Sequence, residues 1–186
     1  MDRIRGRKLN KRKWDCMVNI DDETNFVNNQ IDFWDCECTE NPLFMYNVDG
    51  EFRETLTAFW RNYNSFPLKV VHNFVREIDD LDSDDKVYKL RIDTVNTIDE
   101  LVKMLDEIGW KLTEENFFIT NSSKEIVFKT TEIDILKGKV FAQKPIFELD
   151  TRETLTEVIL HGYSFLIGTN DTKLSTKEMV KDISLR

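Results

Sequence analysis

The stretch "FWDCECTE", residues 33–40, sets Cys36 and Cys38 one residue apart, and "KWDCMVNI" carries Cys16 behind the same Trp-Asp-Cys triplet. Thiols are the residues here best suited to chemistry, as metal ligands or redox groups. A structural zinc takes four ligands, commonly from C-x2–4-C or H-x3–5-H pairs that place two donors on one tight turn. The spacing here is C-x19-C-x-C, and the fourth donor would have to be His72 or His161, both in segments that read as helices. "WDCMVNI" and "DFWDCEC" alternate as half-buried strands do, which puts Cys16, Cys36 and Cys38 on one face beside Trp14 and Trp34. Thiols at i and i+2 of one strand stand too far apart for an easy disulfide. Free cysteine is among the most buried residue types, so packing is the expected role, with zinc on the three cysteines as the alternative cofactor reading.

Other catalytic constellations are thin. Nucleophilic catalysis needs a hydroxyl or thiol within reach of a histidine, and neither His72 nor His161 neighbours a nucleophile elbow. His161, before Gly162, fits a helix C-terminus, where an imidazolium favours the dipole. Asp93, Glu132, Asp134 and Glu148 at strand ends are the acids from which a metal-dependent nuclease site would be drawn. In "EIDIL", Glu132 and Asp134 share one strand face, the weakest form of that signature. The run "DDLDSDD" aligns Asp80, Asp82 and Asp84 with the first ligands of an EF-hand loop. It has Asp85 where the loop needs Gly and Arg91 where it needs a bidentate Glu, so calcium is not implied. Asp79, Asp80, Asp82, Asp84 and Asp85 read instead as a solvated acidic connector that could face a basic protein. The six glycines are scattered, with no phosphate-cradling loop and no RNA-recognition or finger pattern.

Charge is the stronger signal. The 186 residues carry a net −9, unevenly placed. Arg3, Arg5, Arg7, Lys8, Lys11, Arg12 and Lys13 against Asp2 alone make residues 1–13 a basic arm of +6, which leaves −15 on the rest. An acidic body repels nucleic acid and favours a basic protein surface, whereas the arm suits phosphate or an acidic partner. Phe117, Phe118 and Tyr46 are candidate aromatic anchors for a protein interface.

Forty per cent apolar residues, including thirteen Phe and four Trp, suffice for a core and exclude general disorder. No apolar run approaches the ~20 residues of a membrane helix, and the first fourteen residues lack the apolar centre of a secretory signal. With an odd number of cysteines, a cytoplasmic setting is expected. Two Ala and three Pro against many Asn, Lys, Ile and Phe is the usage of AT-rich coding sequence, pointing to a low-GC bacterium or its phage.

The elements that must position these groups read as follows. Phe52, Leu56, Phe59, Trp60 and Tyr63 form one helical stripe, and "SFPLKVVHNFVREIDDL" reads as a second helix capped by Ser65, with a strand beginning at 68–71 as the alternative. "KVYKLRI" reads as one strand. "TIDELVKMLDEIG" is a helix with the capping box Thr97–Glu100, and "DTRETLTEVILHG" another with Asp150–Glu153. "NFFITNSSKEIVFKT" reads as a hairpin about 121–123, "GKVFAQKPIFEL" as a strand whose Pro145 demands an edge or bulge, "YSFLIG" as a strand, and "STKEMVKDISLR" as a helix capped by Ser175. "RETLT" occurs at 53–57 and again at 152–156, either as the trace of a duplicated strand–helix unit or because helix starts reuse the same residues. The expected fold is α+β: a mainly antiparallel sheet packed by several short helices, with a ferredoxin-like variant carrying an added N-terminal strand pair as one arrangement. The arm 1–13 precedes a single domain 14–186, divisible at 14–82 and 83–186. The function expected is non-enzymatic protein binding, such as inhibition of a nucleic-acid-handling partner in the manner of an anti-CRISPR. The alternatives are a nucleic-acid accessory acting through residues 3–13 and a metal protein or enzyme using the cysteines.

Overall fold

Val70 and Val71 are adjacent, β-branched and both fully buried, one in each of two separate hydrophobic clusters. Only an extended chain covered on both faces places neighbours so, because successive side chains of a strand point to opposite sides. The alternative of a strand from Leu68, not the preferred helix from Ser65, is therefore the outcome: Leu68–His72 is a strand, and His72 sits on it. The computed structural model describes residues 19–22, 32–33, 36–38, 44–49, 52–72, 87–88, 90–108, 117–135, 138–159 and 164–185. Along the chain these form β1 (Asn19–Asp22), β2 (Asp32–Phe33), β3 (Cys36–Cys38), β4 (Phe44–Asp49), α1 (Phe52–Tyr63), β5 (Leu68–His72) and β6 (Val87–Tyr88). There follow β7 (Arg91–Val95), α2 (Ile98–Ile108), β8 (Phe117–Thr120), β9 (Val127–Ile135), β10 (Gly138–Phe147), β11 (Thr154–Ile159), β12 (Ser164–Thr169), a 3-10 turn (Thr172–Leu174) and α3 (Lys177–Leu185).

The fold is α+β. Seven strands in the order β1-β4-β12-β11-β8-β5-β7 make one sheet in which every neighbouring pair is antiparallel. It follows that β4 and β5 run the same way, as do β7 and β8, and each of these pairs is joined through a helix, α1 and α2 respectively. A second sheet has the order β2-β3-β10-β6, with β9 paired along β10. Helices cover one face of the seven-stranded sheet. Leu56, Phe59 and Trp60 of α1, Leu101 and Leu105 of α2 and Val180 of α3 pack there on Tyr46, Val70, Phe117, Ile119, Phe165 and Ile167. The other face turns Met45, Val71, Phe118 and Leu155 toward Phe147 of the second sheet, and the Phe118 and Phe147 rings meet at 5.5 Å. A sheet buried on both sides needs the apolar pairs that "FFI" and "VV" supply.

The helical stripe of α1 and the capping box of α2 form as their spacing requires. The Glu100 N–H donates to Thr97 Oγ1 at 3.2 Å, and the Glu100 carboxylate reaches back to the Asn96 N–H at 2.8 Å. Thr97→Ala should therefore lower the unfolding free energy by about 1 kcal/mol in a urea titration. The cap of α3 is Thr176, whose Oγ1 accepts from the Met179 N–H at 3.3 Å; Ser175, one residue earlier, closes the 3-10 turn.

Several local readings are overturned. "RETLT" is helical at 53–57 and runs into strand β11 at 152–156, so the verbatim copies are not copies of one structural unit. Tertiary context decides between them: Leu56 points to the core from a helix, and Leu155 from a strand held between β8 and β12. With a strand at 154–159, the second helix of a ferredoxin-like arrangement is missing, and the strand order differs as well. The 116–130 segment is not a hairpin, because β8 lies in the seven-stranded sheet and β9 in the other. "KVYKLRI" likewise divides at Leu90 into β6 and β7 of different sheets, the Leu90 N–H donating to Gln143 Oε1 at 2.8 Å. Pro145 lies opposite Phe128 of β9 and, on the other side, falls between the two short parallel pairings that β10 makes with β6 and β3. Strands from both sides of residue 82 interleave in the seven-stranded sheet.

Candidate functional site

The densest polar constellation among the described residues lies where the chain passes between the two sheets. Segment 121–126 leaves β8 for β9, and segment 148–153 returns from β10 to β11. Glu153 stands between them. Its carboxylate accepts from the Ser123 N–H (2.7 Å), the Asp150 N–H (2.6 Å) and the Ser122 hydroxyl (3.0 Å). Burial alone would push this carboxyl up; the N–H groups of Ser123 and Asp150, with the serine side chains, outweigh it and hold it below the usual carboxylate range. The Glu153 N–H donates in turn to the Asp150 carbonyl at 3.1 Å, and Arg152 takes φ 66°. Asp and Glu three apart thus make one of the two bonds of a capping box, the Glu153 carboxylate on the Asp150 N–H, while the Glu153 N–H goes to the Asp150 carbonyl and a left-handed Arg152 closes a tight turn in place of a helix. That is why the Asp150–Glu153 signal misleads.

A second set of bonds ties this turn to α1 and to the 3-10 turn. Tyr63, at the end of α1, bonds Asp171 Oδ2 at 2.8 Å and the Arg152 carbonyl at 3.2 Å, and its oxygen accepts from Thr154 Oγ1. Thr154 Oγ1 meets Thr169 Oγ1 at 2.7 Å, and Asn121 joins Ser65, Arg152 and the Thr154 N–H. Burial, then the neighbouring Asp171, lifts the Tyr63 hydroxyl far above the usual phenol range, so it stays protonated. A neutral phenol and a carboxylate whose lone pairs are taken up by N–H groups offer neither a base nor a nucleophile. Lys124 lies at the rim with Nζ 3.4 Å from Asp150 Oδ2, a pairing that raises its amine. This arrangement can clamp two inter-sheet crossings.

His72 and Asp93 are the other pair with chemical potential. His72 Nε2 lies 2.8 Å from Asp93 Oδ2 across β5 and β7, with the imidazole buried and the carboxylate exposed. Sequence separation hid this pair, since it depends on β5 being a strand beside β7. The remaining acids of the nuclease reading do not join it: Glu132 is exposed on β9 and Glu148 follows β10 in the other sheet, while the Asp134 side chain lies outside the described residues. Among the described residues no group of three or more His, Cys, Asp or Glu side chains is placed to hold a metal.

Arg3, Arg5, Arg7, Lys8, Lys11, Arg12, Lys13, Cys16, His161 and the acids Asp79, Asp80, Asp82, Asp84 and Asp85 lie outside the described residues. Cys36 and Cys38 are on β3, their side chains outside the described set. "DFWDCEC" is not one strand, because β2 and β3 pair antiparallel with Phe33 opposite Cys36. Nor do the strands that follow the two Trp-Asp triplets share a face, since β1 belongs to the seven-stranded sheet and β3 to the other. The proposed aromatic anchors are corrected too: Phe117, Phe118 and Tyr46 are fully buried, Tyr46 donating its hydroxyl to the Leu174 carbonyl at 2.6 Å. No helix among the described residues is long and apolar enough to cross a membrane. Comparison with protein-family models, with curated proteins and with solved structures gives no match.

Proposed function

We propose that this is a non-enzymatic protein-binding protein whose acidic surface covers a basic surface on a nucleic-acid-handling partner. The setting would be the cytoplasm of a bacterium or of a phage-infected cell, with anti-CRISPR-type inhibition as one such role. The observation that carries the reading is a segregation of charge along the chain. Between Lys13 and Arg53 there are ten Asp or Glu residues and no Lys or Arg. Among the described strands that one-signed stretch supplies an edge of each sheet: β1, with Asp21 and Asp22, borders the seven-stranded sheet, and β2, with Asp32, borders the other next to β3, with Glu37. On the helices, by contrast, Arg53, Arg61, Lys103, Lys177 and Lys181 alternate with acids. A field of one sign over two edges raises encounter rates with a cationic surface and rejects phosphate-rich competitors.

The immobilised protein is expected to retain a basic protein at about 50 mM NaCl and to release it by roughly 500 mM, where screening shortens the reach of surface charge to a few ångströms. Removing residues 1–13 should leave that retention intact, while Asp21, Asp22, Asp32 and Glu37 changed together to their amides should weaken it at least tenfold. Retention of no basic protein at low salt sinks the reading. The seven cations of the arm favour a second reading, nucleic-acid binding through residues 3–13. Its signature is opposite: binding to an oligonucleotide that vanishes without residues 1–13, its log K falling by about 0.9 per log unit of salt for each duplex phosphate neutralised.

A further inference from the structure

We infer that the β7 edge of the seven-stranded sheet is a self-association site, at which a second copy of the chain adds its own β7 antiparallel across a two-fold axis at Ile92. β7 pairs with β5 on one side and, among the described strands, ends the sheet on the other. Arg91, Ile92, Asp93 and Thr94 are all exposed, so both faces of this strand are open, and Ile92, 39% exposed, is one of three large apolar side chains so placed among the described residues. Edge strands are ordinarily guarded by charge, which works when an approaching copy meets its own sign. Here the guard is inverted. In an antiparallel pair related by a two-fold axis, opposed residues must share a face, so they differ by an even number of positions. Centring on Ile92 opposes Arg91 to Asp93 of the second copy, and Asp93 to its Arg91.

The faces agree with this pairing. Arg91 and Asp93 lie opposite His72 and Val70 on β5, on the helix side, whereas Ile92 lies opposite Val71 on the other side. Two identical ion pairs would flank the axis on one face, with Ile92 against Ile92 on the other. Asp93 is already oriented by His72 through Oδ2, which leaves its second oxygen for the incoming guanidinium. Five-residue strand pairing covers less than the roughly 800 Å² per partner of a standard interface, so the dimer should be weak and concentration-dependent. The site is also compatible with an acidic partner-binding edge, since β1 borders the sheet at the opposite end and stays open in both copies.

Sedimentation velocity from about 1 to 300 µM should show the wild-type mass rising from monomer toward dimer. Arg91→Asp and Asp93→Arg should each raise the dissociation constant at least about tenfold, because each turns both ion pairs into like-charge contacts. Mixed together, the two variants should associate at least as well as the wild type, since every pair across the mixed interface is again opposite in charge. Loss of the His72 bond in Asp93→Arg makes a second readout useful: amide exchange of residues 91–95 in the unaltered protein should slow as concentration rises. A wild type that stays monomeric to 300 µM, exchange independent of concentration, or a mixture no more associated than its components overturns the site.

Discussion

Trp60→Ala is expected to lower the unfolding free energy by about 3–5 kcal/mol, a third or more of the roughly 5–15 kcal/mol that holds a typical domain together. Trp60 is fully buried on α1 and joins the helix layer to the centre of the seven-stranded sheet. Its ring meets Phe59 edge-on at 5.3 Å and Tyr63 at 5.9 Å, and its indole N–H donates to Thr156 Oγ1 on β11 at 3.1 Å. Truncation therefore removes a large apolar body and leaves Thr156 without that donor. Trp60→Phe separates the two contributions. It keeps most of the packing and loses the hydrogen bond, with a smaller cavity, for about 1–2 kcal/mol. Urea titrations followed by circular dichroism report both values from the shift in midpoint at constant slope. An alanine variant within about 1.5 kcal/mol of the wild type would mean that α1 does not close this core.

What the sequence made legible is what a single segment encodes. The stripe of α1 and the Thr97–Glu100 box of α2 need only residues three to eleven apart, and the alternation of "YSFLIG" needs six. The α+β class followed from those. Where the reading failed, the deciding contact lay far along the chain. Val71 fits a helical stripe with Phe74, Val75 and Ile78 as well as it fits a strand, until β7 and β8 are known to flank it. "RETLT" carries the same local preferences twice, yet the copy at 152–156 is drawn into a strand by β8 and β12. "KVYKLRI" alternates without a break, and only the existence of two sheets divides it at Leu90.

The polar clamp was illegible for the same reason. Tyr63, Ser65, Asn121, Glu153, Thr154, Thr169 and Asp171 come from four separate stretches, and each is an ordinary turn or cap residue where it stands. Strand order assembles them, and strand order is not written in periodicity. Charge behaves differently: it needs no fold to be counted. The acidic character of residues 14–52 therefore survives every correction to the local structure, and the fold adds that this stretch forms sheet edges.

The clamp makes its own demand on pH. Glu153→Gln should cost about 2–4 kcal/mol near neutrality, because an amide nitrogen would be turned toward N–H or O–H donors that now meet carboxylate oxygens. The folded-state pKa of Glu153 lies below its unfolded value. The stabilisation tied to its ionisation is thus fully present above the unfolded value, about 4.3, and is lost as pH falls through the folded one. Measured by urea midpoints at pH 7, 5, 4 and 3, the gap between wild type and Glu153→Gln should hold from 7 to 5 and narrow in acid. A large part of that narrowing should be absent from a Lys124→Met control, whose exposed pairing with Asp150 lies at the rim of the same turn. If the gap is constant down to pH 3, the ionised carboxylate is not what fastens the two crossings, and the link between the sheets must reside in the apolar contact of Phe118 with Phe147.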